Sequence, residues 1–210
     1  ETMLSLADKY IDGPPQYINL GSGMFAHMEE SLANQFGTDI PTYNHYAEAV
    51  ATLFKDHYSE ISENEKPILF TEPGTTLVSR YMDFISKVSS IKNIRGQDIA
   101  ILNGSKDNIG DICTIKELPI NVYGENEAHF YNINLTGYTC LEQDVMYEGY
   151  IGKIAVGNYV VFKNVGGYSN VTKPPFIAPN CPMIEIDAKG NTRLIKRMET
   201  FEDVFVTYQF

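Results

Sequence analysis

The first part of the chain alternates between segments with a helical period of apolar positions and short apolar runs. The helical period predicts helices at about 2–11 and 43–59. The apolar runs at 17–20 and 67–70 are typical of buried strands, and each is followed by a loop rich in glycine or proline. A further helix is predicted to begin near Thr75. This order of strand, loop and helix is typical of a parallel α/β fold.

After residue 95 the pattern changes to short segments rich in β-branched and aromatic residues. Strands are predicted at 98–102, 115–122, 128–134, 152–155, 159–164, 183–187 and 192–196. Residues 188–191 are predicted as a hairpin loop because glycine and asparagine tolerate positive φ. A short helix is predicted at 199–205. We therefore expect residues 1–95 to be part of an α/β domain and residues 96–210 to form an antiparallel sheet or sandwich.

Composition narrows the classes of function. The net charge of the 210 residues is −11 and no basic stripe offsets it, which argues against a nucleic-acid binder. No apolar run reaches 18 residues, so no membrane span is expected. The cysteines Cys113, Cys140 and Cys181 are widely spaced, without clustered histidines. Neither a zinc site nor a disulfide framework is expected, and a reducing, cytoplasmic setting fits best.

Two candidate sites follow the predicted α/β strands. Gly21-Ser22-Gly23 comes directly after the first strand, where backbone N–H groups can approach an anion because glycine has no Cβ. Glu72 ends the second strand, at the edge where α/β folds place their chemistry. Its carboxylate could bond a protonated ring nitrogen or cap the helix that follows.

Two further candidates lie in the predicted β region. Cys140, Glu142 and Asp144 place a thiol and two carboxylates in one short loop. The acids disfavour a resting thiolate, which leaves a role as proton donor open. Tyr168 follows two glycines, so its hydroxyl could bind an anion or its ring could fill the edge of a core.

The joint order of these motifs resembles the diaminopimelate/ornithine/arginine decarboxylases. The resemblance is carried by Asn19–Gly23 for the glycine-rich phosphate loop, Glu72-Pro73-Gly74 for the E-P-G-R motif, Thr136–Cys140 with Asp144 for the G-P-x-C-x-x-x-D motif, Gly166-Gly167-Tyr168 for the G-A-Y motif, and Leu194–Arg197 with Glu199–Asp203 for the closing R-R-x-E-T-x-x-D segment. It spans nearly the whole chain. It implies the C-terminal part of an alanine-racemase-type (β/α)8 barrel in residues 1–95, then a C-terminal β-domain in residues 96–210.

The resemblance also implies an activity and a cofactor. The activity is decarboxylation of an amino acid with pyridoxal 5'-phosphate, by a homodimer with its active sites at the interface. Gly21, Ser22, Gly23 and Tyr168 would bind the phosphate, and Glu72 would pair with the ring nitrogen. In the partner subunit's site, Cys140 would assist protonation, and Asp144 and Glu142 would be near or contact the substrate.

Three departures from the family pattern qualify these expectations. Thr75 replaces the arginine of E-P-G-R, and Leu141 replaces an acid that binds the distal amino group of diaminopimelate or ornithine. A modified diamino acid thereby becomes a more plausible substrate. The Schiff-base lysine of the family precedes the glycine loop, where this sequence has only Lys9, on a predicted helix. We therefore expect the chain to begin in mid-barrel and to be inactive as given.

Two other functions stay open at this point. A catalytically inactive homologue could regulate a true decarboxylase; the changes at Thr75 and Leu141 favour it, and the retention of Glu72, Cys140 and Tyr168 opposes it. A racemase on the same barrel is disfavoured by the loop with cysteine and aspartate, which belongs to the decarboxylases.

Overall fold

The chain divides into two compact units, Glu1–Arg80 and Tyr81–Phe210. The computed structural model describes residues 1–110, 116–125 and 128–209. Cys113 and the first residue of the strand predicted at 115–122 lie outside the described residues. The division comes before residue 95, where the change of pattern was expected, because Phe84–Ile94 already form a strand of the second unit.

The first unit contains the predicted helices and both predicted strands. Its elements are α1 (Thr2–Tyr10), β1 (Tyr17–Asn19), α2 (Glu30–Ala33), α3 (Tyr43–Tyr46), a π-helical segment (Ala47–Thr52), α4 (Leu53–His57), β2 (Ile68–Phe70) and α5 (Thr75–Val78). The helix predicted at 43–59 is thus confirmed as an α–π–α run. Its start is fixed by a capping box in which Thr42 and His45 exchange hydrogen bonds.

The strands β1 and β2 pair in parallel, and helices cover one of their faces. Ile18 lies opposite Leu69 and packs with Leu4 and Tyr58 in a buried cluster. The other face is open: Tyr17 is 62% and Ile68 is 61% exposed. Parallel sheets are normally covered on both faces. One side of this sheet therefore remains available for packing.

The second unit is built mainly from strands. Its elements are β3 (Phe84–Ile94), β4 (Gln97–Leu102), β5 (Ile120–Tyr123), β6 (His129–Thr136), β7 (Val145–Lys153), β8 (Tyr159–Phe162), β9 (Met183–Ile186), β10 (Thr192–Lys196) and α6 (Phe201–Val204). β9 and β10 form the predicted hairpin, with Gly190 at φ 82° in its loop. The predicted closing helix is confirmed as the single turn α6.

Within the described residues, six strands form one sheet in the order β5-β8-β3-β4-β6-β7. The expectation of an antiparallel sheet is wrong for one pair, since β4 and β6 are parallel, with Asp98 opposite Ile133. The reason is that the chain leaves β4, adds β5 at the far end of the sheet, and returns to the free edge of β4. One side-chain contact joins the two ends of this order: Glu117, which precedes β5, accepts a hydrogen bond from the backbone N–H of Glu148 in β7 (3.3 Å).

Alternate residues of these strands form the core of the second unit. The fully buried members of the sheet are Val88, Ala100, Leu102, Ile133, Leu135, Met146, Val160 and Phe162. Their spacing of two residues places them on one face of each strand. Burying one such large side chain contributes roughly 1.5–3 kcal/mol, so this face is what fixes the register of the sheet.

Candidate functional site

The glycine loop and Glu72 lie side by side at the carboxyl ends of β1 and β2. Parallel pairing continues past both strands: Leu20 N donates to Phe70 O (3.0 Å), and Glu72 N donates to Gly21 O (2.8 Å). The two predicted sites are therefore neighbours, although they are far apart in the sequence.

Asn19 connects them through its side chain. Its Nδ2 donates to Oε1 of Glu72, and its Oδ1 accepts from the backbone N–H of Gly21 (2.8 Å). One amide thus orients the carboxylate and fixes the start of the glycine loop. Asn19 belongs to the loop motif, but no role was predicted for it. The only signal in the sequence was a polar residue within the otherwise apolar run 17–20.

The loop has the geometry of an anion nest. Gly21 has φ 67° and Gly23 has φ 101°, and a Cβ at either position would meet no atom within 4 Å. Among the described residues, no partner is found for the backbone N–H groups of Ser22 and Gly23. Free N–H groups beside left-handed glycines form the concavities that bind phosphate. The loop therefore fits a phosphate through Ser22 and Gly23, whereas the N–H of Gly21 is already bonded to Asn19.

Glu72 is exposed and does not cap the helix that follows. The N-cap residue of α5 is Gly74, and no side chain caps this helix. The capping alternative is therefore wrong, and the carboxylate is held by Asn19 instead. Lys9 lies on α1 as expected, with its Nζ 5.0 Å from the ring centroid of Tyr10.

In the second unit, Asp144 anchors the loop between β6 and β7. It is 3% exposed. Its Oδ1 accepts from Ser105 Oγ (3.1 Å) and Lys106 N (2.8 Å), and its Oδ2 accepts from Thr139 N (3.1 Å) and Thr139 Oγ1 (2.6 Å). The carboxylate is therefore largely saturated by the protein itself. Its observed role is to hold this loop against the 3₁₀ turn that begins at Lys106.

Cys140 and Glu142 are exposed on the loop that Asp144 holds. The loop begins at Gly137, where a Cβ would lie 2.2 Å from Oδ2 of Asp144, so only glycine fits. Burial raises the pKa of the neighbouring Tyr138, and Asp144 raises it further. The Tyr138 hydroxyl therefore stays protonated at neutral pH.

Tyr168 is presented outward by a strained turn. It has φ 53° and is 55% exposed. An aromatic residue rarely adopts this conformation, and such strain persists where surrounding contacts impose it. Here Thr172 Oγ1 donates a hydrogen bond to Tyr168 O (2.5 Å). Gly110 also lies close to the turn, because a Cβ added to this glycine would be 2.5 Å from Gly167 O. The ring is thus exposed to solvent rather than buried in a core.

The predicted site residues form two groups, one in each unit. The first unit contains one group of neighbours, Gly21, Ser22, Gly23 and Glu72. The second unit contains Cys140, Glu142 and Asp144 on one loop and Tyr168 on a separate turn. The described part of the chain contains no group of three acidic, histidine or cysteine side chains suited to a metal ion. Of the helices described, none has both the length and the apolar character that crossing a membrane requires.

Known protein structures share this fold. The chain superposes on a diaminopimelate decarboxylase with a TM-score of 0.77 and 19% identity, over 98% of this chain and 50% of that one. A diaminopimelate decarboxylase from M. jannaschii in complex with L-lysine gives 0.74 and 22%, over 100% and 46%. The arginine decarboxylase of Paramecium bursaria Chlorella virus gives 0.63 and 17%, over 84% and 46%. No family model and no curated protein matches the sequence.

The chain therefore has the fold of the C-terminal portion of these decarboxylases, as the order of motifs implied. It spans about half the length of the solved structures it matches.

Proposed function

We propose that the chain is the C-terminal half of a pyridoxal 5'-phosphate-dependent amino-acid decarboxylase. The observation that supports this most is the bridge from Gly21 through Asn19 to Glu72. It holds an anion nest and a carboxylate next to each other at the carboxyl ends of parallel strands, where α/β folds bind ligands. A small molecule with a phosphate at one end and a protonated ring nitrogen at the other requires both groups.

Each residue has a defined task in this proposal. Ser22 and Gly23 would receive the phosphate through backbone N–H groups, with Gly21 shaping the loop, and cofactor binding by Tyr168 stays a prediction from the family resemblance. Glu72 keeps the proton on the ring nitrogen. When bound, pyridoxal 5'-phosphate supplies an electron sink for the negative charge that loss of CO₂ leaves on the substrate carbon.

The loop of the second unit would serve the substrate. Cys140 is exposed and would donate a proton to the substrate carbon, while Glu142 would accept a hydrogen bond from the distal nitrogen. Asp144 was predicted to bind substrate as well. Its four accepted hydrogen bonds favour an indirect contribution, in which it holds the loop that carries Cys140 and Glu142.

The rest of the barrel would supply the Schiff-base lysine. The open face of the sheet at Tyr17 and Ile68 supports further βα units packing there, because an uncovered apolar face on a parallel sheet is unfavourable. The solved relatives are about twice as long as this chain. We infer that the lysine and the first barrel strands belong to that other half.

The substrate class we propose is a diamino acid or a derivative of one. A protein of the same fold has been solved with L-lysine. Leu141 is 39% exposed beside Cys140, so an apolar side chain stands where the family pattern has an acid. This favours a substrate whose distal nitrogen is neutral, such as an acylated diamino acid.

The test uses the complete protein that contains these residues. Added pyridoxal 5'-phosphate should give the absorption band of an internal aldimine, and mass analysis should detect loss of CO₂ from a panel of diamino acids and their acylated forms. Glu72→Gln should bind cofactor with little change yet lose most turnover, because the ring nitrogen loses its proton. Full turnover in Glu72→Gln would refute the assignment of Glu72.

An inactive, regulatory homologue is the alternative that Thr75 and Leu141 favour. It predicts no aldimine band and no release of CO₂ from any member of the panel, and a racemase predicts inversion without loss of mass. We also propose a cytoplasmic homodimer that binds no nucleic acid. Light scattering coupled to size-exclusion chromatography of the complete protein tests the dimer directly.

A further inference from the structure

A hydrogen-bond network among residues that were not predicted as site residues connects the segment after the glycine loop to α5, which follows Glu72. Its centre is Thr76 in α5, which is 4% exposed. Thr76 Oγ1 donates to the backbone carbonyl of Phe25 (2.8 Å). Phe25 lies just beyond the nest of residues 21–23. The side chain of Thr76 therefore joins two loops that are 51 residues apart in sequence.

Two tyrosines of α3 complete the network. The hydroxyl of Tyr43 donates to Thr76 O (2.9 Å), and the two hydroxyl oxygens lie 3.1 Å apart. The hydroxyl of Tyr46 accepts from Phe25 N (3.0 Å). Both backbone polar groups of Phe25 are thus held by side chains from other elements. Because Tyr43 and Tyr46 are three residues apart on a helix, they project from the same face.

We propose that Thr76, Tyr43 and Tyr46 are positioning residues that set the distance between the anion nest and the carboxylate of Glu72. This inference rests on the proposed function, because it concerns the same site. Asn19 holds the start of the glycine loop and Glu72 together at the ends of β1 and β2. The network holds together the segments that follow them, at Phe25 and Thr76. None of the three side chains needs to touch the ligand. Their effect is to keep the N–H groups of Ser22 and Gly23 preorganised.

The experiment compares Thr76→Val, which removes the hydroxyl but keeps the shape, with Thr76→Ser, which keeps the hydroxyl. Amide hydrogen exchange is measured without ligand on the complete protein that contains these residues, and pyridoxal 5'-phosphate and inorganic phosphate are titrated separately. Thr76→Val should speed exchange at the amide of Phe25, which is hydrogen-bonded to Tyr46, and weaken phosphate binding about tenfold, a change of about 1.4 kcal/mol. Thr76→Ser should keep both at the level of the parent. A residue that serves only general stability would lower the melting temperature without a local change at Phe25.

Tyr46→Phe provides a second variant in case Thr76→Val does not fold. It removes one acceptor, so exchange should accelerate at the amide of Phe25. Tyr10→Phe is the matched control, since Tyr10 is 71% exposed on α1. Unchanged exchange at the amide of Phe25 in both Thr76→Val and Tyr46→Phe would overturn the inference, as would unchanged ligand affinity in a parent that binds. Faster exchange with no ligand binding in any variant would support the coupling and reject the proposed function.

Discussion

Replacing Asp144 by asparagine should destabilise the second unit although the side chains are nearly the same size. Asparagine keeps one carbonyl oxygen but turns the other acceptor into an NH₂ donor. The two oxygens of Asp144 accept from the backbone N–H of Lys106 (2.8 Å) and from that of Thr139 (3.1 Å). In either orientation of the asparagine amide, its NH₂ group therefore faces one of these two N–H groups. Hydrogen bonds to charged groups contribute roughly 1.5–3 kcal/mol each, so we expect a loss of about 2–4 kcal/mol.

Urea unfolding followed by circular dichroism measures this loss. With a slope of about 2 kcal/mol/M, the midpoint should fall by about 1–2 M. Glu142→Gln is the matched control, because it makes the same chemical change at an exposed position of the same loop and should stay within about 0.5 kcal/mol of the parent. Equal midpoints for Asp144→Asn and Glu142→Gln would show that the buried carboxylate is not the anchor of the loop.

Three further changes test separate features. Gly137→Ala should also destabilise the second unit, because its Cβ would lie 2.2 Å from Asp144 Oδ2; a urea midpoint equal to that of the parent would contradict this. Gly23→Ala meets no atom within 4 Å but has φ 101°, so we expect a backbone cost of about 1–2 kcal/mol and weaker phosphate binding by titration. Burial raises the pKa of Glu117 above its ordinary value; the hydrogen bond from the backbone of Glu148 lowers it in part, and the charge of Glu148 raises it. Its contribution to stability is therefore present at low pH and lost as pH rises through the raised pKa, so the urea midpoint of Glu117→Gln relative to the parent should increase between pH 4 and pH 7.

Local sequence patterns predicted the elements whose apolar residues form a simple, uninterrupted pattern. The helix α1 was found because its apolar positions repeat with a helical period, and the strands β1 and β2 because they are short apolar runs. The strand Phe84–Ile94 was missed because serine and lysine interrupt its apolar positions. The parallel pairing of β4 with β6 could not be predicted, since it depends on where β5 is inserted.

The sequence indicated which residues belong to the candidate site but not how they are connected. Glycine and glutamate at strand ends indicated where the chemistry is expected. Asn19 contacts a residue 53 positions away, so its role depends on the pairing of β1 with β2, which no local pattern reports. In the same way, the burial of Asp144 depends on Ser105 folding against it. The carboxylates of Asp144 and Glu142 look alike in sequence, and only packing separates the anchor from the exposed acid.

The position of β8 in the large sheet affects how the chain folds during synthesis. β8 (Tyr159–Phe162) lies between β3 and β5 in the sheet, so neither strand can complete its pairing until β8 has been synthesised. Until the ribosome has released residue 162, β3 keeps an open edge and the nascent chain can pair with other chains through it. Sheets dominated by such distant pairings fold slowly. A transcript that stops before Tyr159 should therefore yield an aggregating product rather than a smaller stable unit.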